Sequence, residues 1–357
     1  NVPDILILDN SMMPVQSYIM KGLFADLNPF LENDPEVKRS DLLENVLSAL
    51  EVNGGLYQIG PSINIMTVVG RKADMAGIDG NWTMEDCMRI IEKNGGDYMR
   101  AFGSTNSRGE LFNTAMRLCG NAFIDWETQQ CYYNTEAFTS LLEFTAKFPE
   151  EVPEEVWMTM SQSDYRKGKS HFVSQMFWTF DMFGEQKYGV FGEDVVFAGF
   201  PYDGEKNYAS ITMDLQLAIS ESCKHKEDAW QYLRKFLLPE YQDTITYAYP
   251  MRLDSLEKMG QRAMEKAYYD NGNGEREYYE RTYYLDDQQI KLPNLTQEDV
   301  DIVMEQVKSV NYMQYTDAKV LEIIEEETAA FFSGQKTAQE VGDIIQNRVR
   351  MYVGEVS

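Results

Sequence analysis

Nine polar or aromatic side chains stand in loops or at the ends of predicted strands, where a rigid scaffold commonly presents binding groups. They are Asp9, Asn10, Ser62, Asn64, Asn106, Trp178, Asp181, Asp214 and Arg252. Their carboxylates, amides, hydroxyl and guanidinium form directional hydrogen bonds, and the indole ring has a flat apolar face. A pyranose sugar has a rim of hydroxyl groups and a face of C–H groups that match both features. These residue types therefore indicate non-covalent binding of a hydroxyl-rich small molecule, with Trp178 as the stacking platform.

Several of these residues also have a structural alternative. Trp178 could pack in a core, where most of a tryptophan's surface is usually buried. Arg252 could form a salt bridge at a hinge, and Asp9 and Asp214 could cap their own loops. The sequence leaves both interpretations open for each residue.

Motifs of catalysis are missing from the sequence. It has no phosphate-binding GxxxxGK[ST] loop, no strand–GxGxxG–helix unit, no GxSxG and no HExxH. His171 and His225 are the only histidines, and neither stands at ligand spacing from a Cys or from the other. Residues 270–275 lack the order of a calcium loop. We therefore predict no catalytic residue, no metal and no cofactor, although 58 acidic residues leave a two-carboxylate glycosidase as an alternative.

Length and charge restrict the class of protein. The chain has 357 residues, of which 43% are hydrophobic, and this length favours two domains. The net charge of −26 repels phosphate backbones, so nucleic acid is not an expected partner. No apolar run approaches the ~20 residues of a membrane span. Cys119 and Cys131 flank a predicted hairpin, and a disulfide between them stays open because sequence gives no geometry.

Local patterns predict alternating strands and helices, which is typical of the α/β class. A buried strand is expected over residues 5–8 and helices over residues 14–21, 41–50 and 226–237. Capping-box spacing joins Asp41 to Glu44, Thr296 to Asp299 and Thr337 to Glu340, and Thr83 is the expected N-cap of another helix. The tyrosine-rich stretch 268–287 is expected to be a surface loop or insertion.

Four groups of segments, in the same order along the chain, resemble the bacterial extracellular solute-binding proteins of the maltose-binding type. They are residues 3–8 with 22–27, residues 55–61 with 71–75 and 77–83, residues 200–201 with 217–220 and 226–233, and residues 332–341. The resemblance implies an α/β fold of two lobes, with a hinge and a cleft between them that holds the ligand. It also implies that the loop around Trp178 and the region near Arg252 face this cleft. A strand, helix and strand that normally precede the Pro3-Asp4 segment in that family have no counterpart here, so the first lobe is expected to be incomplete.

The resemblance places the first lobe at residues 1–66 plus 208–248 and the second at residues 67–207 plus 249–357. Hinge segments are expected near residues 65–68, 208–210 and 248–250. The implied function is capture of a sugar or oligosaccharide outside the cell and its delivery to the permease subunits of an ABC importer, without catalysis. Export and a lipid anchor beyond this chain are expected, as a cell-surface lipoprotein or a periplasmic protein. The alternatives are a non-sugar solute, such as a peptide, polyamine or organic acid, a ligand sensor, and a carbohydrate-active enzyme.

Overall fold

The computed structural model describes residues 3–9, 13, 15–78, 82–202, 208–314 and 317–356. Within these ranges the strands are β1 (Ile5–Leu8), β2 (Glu51–Val52), β3 (Gly55–Leu56), β4 (Ser62–Arg71), β5 (Ile124–Asp125), β6 (Gln130–Cys131), β7 (Phe172–Phe177), β8 (Val195–Phe197), β9 (Ser210–Thr212), β10 (Gln216–Ile219), β11 (Tyr249–Pro250), β12 (Tyr268–Asp270), β13 (Arg276–Tyr278), β14 (Thr282–Leu285) and β15 (Gln288–Lys291).

The α-helices of the same ranges are α1 (Val15–Met20), α2 (Asn28–Asn33), α3 (Glu44–Leu50), α4 (Met84–Lys93), α5 (Arg108–Cys119), α6 (Glu136–Thr145), α7 (Glu154–Trp157), α8 (Ser163–Arg166), α9 (Phe180–Gly184), α10 (Lys226–Leu233), α11 (Pro239–Gln242), α12 (Leu253–Met264), α13 (Gln297–Ser309), α14 (Ala318–Phe332) and α15 (Ala338–Val356). Short 3₁₀ turns lie at Arg39–Asp41, Gly120–Phe123 and Arg234–Leu237, and a π-helical segment, Glu185–Phe191, continues α9.

Strand β4 organises the five-stranded sheet, because β7, β8, β9 and β11 all pair with it in the antiparallel sense. Every residue of β4 after Ser62 is buried, which suits its content of Val and Ile. Gly60 precedes the strand at a point where a Cβ atom would collide with the carbonyl oxygen of Leu215. Glycine is therefore required for the close approach of these two segments of the chain at the beginning of β4.

The two faces of β4 contribute to two hydrophobic cores. Ile63, Ile65 and Val69 lie in the first core, together with buried side chains of α3, α10, α12 and α13. Met66 and Val68 lie in the second core, with buried side chains of α4, α5, α6, α14 and α15. Successive side chains of a strand point to opposite faces, so one strand supplies both cores. A third, small cluster joins β1 to α1 through Leu8, Val15 and Ile19.

The three predicted hinge segments come together in this sheet. Met66 pairs with Ser210 of β9, and Ile63 pairs with Tyr249 of β11. The lobe boundaries stay a prediction. One contact favours placing α13 with the first lobe, since the side-chain amide of Asn45 in α3 donates to the carbonyl oxygens of residues 307 and 310.

The capping predictions have mixed outcomes. Thr83 and Thr296 cap α4 and α13 in full reciprocal capping boxes, and Thr337 exchanges the same bonds with Glu340. The box predicted from Asp41 to Glu44 is wrong. α3 begins only at Glu44, after Leu43, because the guanidinium of Arg39 binds the Glu44 carboxylate at 2.7 and 2.8 Å.

Residues 268–287 are not a loop, because they form the β12–β13 hairpin and the first strand and turn of the β14–β15 hairpin, and the alternative of an insertion stays a prediction. Cross-strand aromatic pairs stabilise β12–β13, where the rings of Tyr268 and Tyr278 lie 5.9 Å apart. The predicted hairpin after Phe123 is confirmed as β5–β6. Cys119 and Cys131 are both free thiols, which settles the open question of a disulfide between them.

The carboxylate of Asp34 joins α2 to α10. It accepts hydrogen bonds from the backbone N–H groups of Glu36 and Val37, from the Trp230 indole at 2.8 Å and from Arg234 at 2.7 Å. Burial alone would raise the pKa of Asp34, but these hydrogen bonds lower it to about 2 from the ordinary 3.8. The carboxylate thus stabilises the fold only while it is ionised.

We predict that Asp34→Ala lowers the free energy of unfolding at pH 7 by about 3 kcal/mol, because it leaves the Arg234 guanidinium buried without its main partner. Asp228→Ala, an exposed carboxylate on α10, is the control and should change it by less than about 0.5 kcal/mol. Urea unfolding measures both. The pKa of Asp34 is lower in the folded state than in the unfolded state. Its ionised carboxylate therefore stabilises the fold above pH 4, and this stabilisation is lost as the pH falls towards 2. The difference in the free energy of unfolding between wild type and Asp34→Ala should narrow between pH 4 and pH 2. A difference that does not change with pH would contradict this account.

Candidate ligand-binding site

Polar side chains meet at the beginning of β4, on the face that leads to the second core. Ser62 and Asn64 share this face with Met66, because residues two apart in a strand point the same way. The register pairs Asn64 with Thr212 of β9, and Asp214 follows two residues later. The side-chain amide of Asn64 donates to a carboxylate oxygen of Asp214 at 3.2 Å. Three predicted site residues thus belong to one surface.

Trp178 stands at the opposite edge of this surface. It follows β7 directly, and the last residue of β7, Phe177, pairs with Ile65. In an antiparallel register the next position along β7 lies beside Asn64. The Trp178 side chain is 41% exposed, so much of its ring is open to solvent rather than packed in a core.

Asp9 approaches from the two-stranded sheet of β1 and β10. Leu8 pairs with Gln216, so Asp9 lies at the same end of this sheet as Asp214. Asn10 lies outside the described residues. Five of the nine predicted residues are therefore close together in the fold, and we call them the β4 cluster: Asp9, Ser62, Asn64, Trp178 and Asp214.

Several buried polar atoms on the same face have no hydrogen-bond partner among the described residues. They are Oδ1 of Asn64 and the hydroxyl oxygens of Ser174 and Ser210. Ser174 pairs with Val68 and Ser210 with Met66, which places both on the Asn64 face of the sheet. An unsatisfied buried polar atom costs about 1–3 kcal/mol. A bound ligand or ordered water that satisfied these atoms would recover that free energy.

A small cavity lies where α1 faces the second core. Met13 and Gln16 line it from one side, and Asn121, Trp126 and Asp317 line it from the other. Its volume of about 40 Å³ has room for a water molecule but not for a sugar ring. Asn121 in its lining donates its side-chain amide to the carbonyl oxygen of Met313, which bridges to Ile211 of β9, the strand that pairs with Asn64.

The residues that line this cavity carry no binding signal in the sequence. Asn121 and Trp126 belong to a 3₁₀ turn and a hairpin, and Asp317 is the N-cap of α14. Their short-range roles are visible in the sequence as turn and cap signals. Nothing in the local sequence indicates that they meet α1.

The remaining predicted residues lie apart from the β4 cluster. Asn106 is fully buried and serves its own loop, since its Oδ1 accepts from the Phe102 N–H at 2.7 Å and its amide donates to Gly103. Arg252 is buried and forms ion pairs with Asp254 at 2.9 Å and Asp41 at 3.6 Å. The structure favours the structural alternative for Arg252, and the hydrogen bonds of Asn106 stabilise its own loop.

Asp181 lies on α9 and pairs with Arg281 at 3.0 Å. Burial raises the pKa of Asp181, and the charge of Arg281 opposes this rise. The pair lines a separate cavity of about 120 Å³ with Thr246 and Arg262. Asp181 therefore stands outside the β4 cluster, and its role in binding stays a prediction.

The described part of the chain contains no group of three or more His, Cys, Asp or Glu that could hold a metal ion. His171 is buried, and burial lowers its pKa, as suits a neutral structural side chain. In the same residues, no helix has the length and apolar character needed to cross a membrane.

Solved structures similar to this chain include bacterial solute-binding proteins. An ABC substrate-binding protein from Listeria monocytogenes in complex with cycloalternan is 13% identical, with a TM-score of 0.56, over 99% of this chain and 85% of that one. A solute-binding protein from Thermotoga lettingae bound to α-D-tagatose is 15% identical, with a TM-score of 0.56, over 99% and 86%. The sugar-binding protein MalE from Xanthomonas citri is 15% identical, with a TM-score of 0.61, over 99% and 84%. At these identities the likeness defines the fold, which is the α/β periplasmic-binding-protein fold over nearly the whole chain.

The sequence profile of the bacterial extracellular solute-binding proteins matches residues 1–260. The chain therefore belongs to that family, and the resemblance predicted from its segments is confirmed. Members of such a family bind a solute rather than convert it, so the chain is not an enzyme. A search of the curated proteins returned no significant match.

We predict that Asn64 contributes little to stability, because one of its two polar atoms has no partner and Asp214 is exposed to water. Asn64→Leu should change the free energy of unfolding by less than about 1 kcal/mol, because the leucine side chain replaces an amide with a hydrogen-bond partner for only one of its two polar atoms. Gln242→Leu is the matched control near the same strand. Its amide donates to residues 61 and 236 and accepts from the Arg252 N–H.

Gln242→Leu should lower the free energy of unfolding by about 3 kcal/mol or more, because three backbone groups lose their hydrogen-bond partner. Urea unfolding of both variants without ligand provides the comparison. Equal losses would show that Asn64 serves the fold as Gln242 does, and would argue against a binding role.

Proposed function

We propose that this protein captures a neutral sugar or oligosaccharide outside the cell and passes it to the permease subunits of an ABC importer. The observation that carries the proposal is the β4 cluster, in which Oδ1 of Asn64 is buried without a hydrogen-bond partner near the exposed indole ring of Trp178. Family membership supports solute capture, and the cluster indicates the chemistry of the solute.

The chemistry of the cluster matches a sugar ring. The face of Trp178 would receive the C–H face of a pyranose, which is the contact that aromatic rings offer to such surfaces. The carboxylates of Asp9 and Asp214 would accept hydrogen bonds from ring hydroxyls. The Asn64 side chain supplies both a donor and an acceptor, so it suits hydroxyl groups that do both.

The relatives of known structure agree with this class of ligand. The proteins from Listeria monocytogenes and Thermotoga lettingae hold a cyclic oligosaccharide and a monosaccharide, respectively. Neutral ligands also suit a chain of net charge −26, which repels anionic solutes and excludes nucleic acid as a partner.

Binding would proceed by closure of two lobes about the sheet of β4. The cavity between α1 and Asn121 is too small for a sugar in the present arrangement, so entry requires the two sides to separate. A ligand that contacts both sides only when they are close shifts the population towards the closed state. The segments that would bend are residues 65–68, 208–210 and 248–250, which lie side by side in the sheet.

The protein would act outside the cell, at the cell surface as a lipoprotein or in the periplasm. Its partners would then be the solute and the permease subunits.

We predict that isothermal titration calorimetry against a panel of neutral mono- and oligosaccharides finds one saturable site with a Kd of about 1 μM or tighter. Peptides and polyamines in the same panel represent the other solute classes. Trp178→Ala should weaken binding of the best sugar by about tenfold or more, because it removes the stacking face.

Tyr247→Ala, which removes a 73% exposed ring outside the cluster, is the control and should leave Kd unchanged. Binding of peptides or polyamines alone would overturn the sugar assignment while leaving solute capture intact. An equal effect of the two substitutions would remove Trp178 from the site.

A further inference from the structure

One hydrogen bond joins two regions of the fold that pack around different cores. The backbone N–H of Asn53 donates to the carboxylate of Glu127 at 2.6 Å. Asn53 stands in the turn between β2 and β3, where Val52 belongs to the small cluster of β1 and α1 and Leu56 to the first core. Glu127 stands in the turn between β5 and β6, and Ile124 of β5 is buried in the second core. The bond therefore crosses the predicted lobe boundary, since residue 53 falls in the first lobe and residue 127 in the second.

The acceptor is held in place within its own turn. The carboxylate of Asp125 accepts hydrogen bonds from the backbone N–H groups of Glu127 at 2.9 Å and Thr128 at 3.0 Å. An aspartate that binds the backbone two and three residues later fixes the conformation of a turn. Glu127 is therefore presented from an ordered segment.

The donor is held in place as well. The side-chain amide of Asn53 lies 3.9 Å from the sulfur of Met20, the last residue of α1. The neighbouring carbonyl oxygen of Gly54 accepts a hydrogen bond from the Asn28 side chain at 3.1 Å. Because both turns are ordered by contacts within their own regions, the bond between them costs little conformational entropy.

The same two regions also meet at the small cavity beside α1. Gln16 lines the cavity from α1, and Trp126, the neighbour of Glu127, lines it from the opposite side. The volume of about 40 Å³ left between them means that side chains are not closely packed across this contact. Packing alone therefore holds the two regions together weakly, and a directional hydrogen bond beside the cavity adds to it.

We propose that the Asn53–Glu127 hydrogen bond is a latch that favours the closed arrangement of the two lobes before any solute is bound, with Glu127 as a positioning residue. This inference rests on the lobe closure of the proposed function and adds a contact that the solute does not make. A contact that is present only in the closed state raises the population of that state. Since a solute leaves when the lobes separate, the latch slows the release of any solute that fits the cleft.

The test measures the separation of the two regions in the solute-free protein by pulsed electron resonance between two spin labels. The labels are attached at Lys21→Cys and Glu136→Cys, which are exposed positions on the two sides, while the four native cysteines are buried. Glu127→Ala should shift the distances to longer values. The ratio of separated to closed molecules should rise about threefold to tenfold, as expected for the loss of one hydrogen bond.

Two further variants keep the bond. Glu127→Gln retains an acceptor oxygen and should shift the distances less than Glu127→Ala. Asn53→Gly retains the N–H donor and tolerates the φ of +50° at this position, so it should give the wild-type distances.

Glu143→Ala is the matched control, because it removes the same charge from an exposed position on α6. It should also give the wild-type distances. The same distances in wild type and Glu127→Ala would overturn the latch, and so would an equal shift in Glu143→Ala. No sugar is present in this measurement, so either result would leave sugar capture standing. Absence of sugar binding in calorimetry would overturn sugar capture and leave the latch intact.

Discussion

The alternation of side chains along β4 is the constraint on which the rest of the structure depends. Ile63 and Ile65 are buried in the first core, so Ser62 and Asn64 must point to the other face. A slip of one residue would exchange the two sets and expose the isoleucines, which fixes the register firmly. The same strand pairs with β7, β9 and β11, and their ends carry Trp178 and Asp214 to the polar side chains of β4. The binding surface is a geometric consequence of how the cores are filled.

The buried polar groups of the structure are of two kinds, those with a full set of hydrogen-bond partners and those without. The amide of Gln242 and the carboxylate of Asp34 have all the partners that their positions demand, and they hold segments of the first core together. The side-chain oxygens of Asn64, Ser174 and Ser210 lack such partners. Natural proteins keep unsatisfied groups where function requires them, at some expense of stability. This contrast separates residues that serve the fold from residues that await a ligand.

Local sequence signals predicted the parts of the fold that depend on neighbouring residues. The caps at Thr83 and Thr296 need only residues three positions apart, and both are present. The capping box predicted from Asp41 to Glu44 is absent because the carboxylate of Glu44 binds Arg39, a residue that is not part of the capping-box pattern. The β12–β13 hairpin contains a cross-strand tyrosine pair, Tyr268 with Tyr278, and composition alone does not reveal such pairing.

The binding surface was predictable to the extent that it lies at strand ends. Residues 9, 178 and 214 follow β1, β7 and β9, and residues 62 and 64 lie at the beginning of β4, so strand pairing brings them together. Asn106 and Arg252 are of residue types that bind ligands, but the sequence did not show that Asn106 hydrogen-bonds to its own loop and that Arg252 forms ion pairs within the protein.

The crystal structure of the complex with the sugar that binds best in calorimetry tests the central claim most directly. The account predicts one ring of the ligand stacked on Trp178, with hydroxyl groups within hydrogen-bond distance of Asn64 and Asp214. The two sides of the cavity at α1 should both contact the ligand. A sugar bound elsewhere, with the polar face of β4 occupied only by water, would contradict the account.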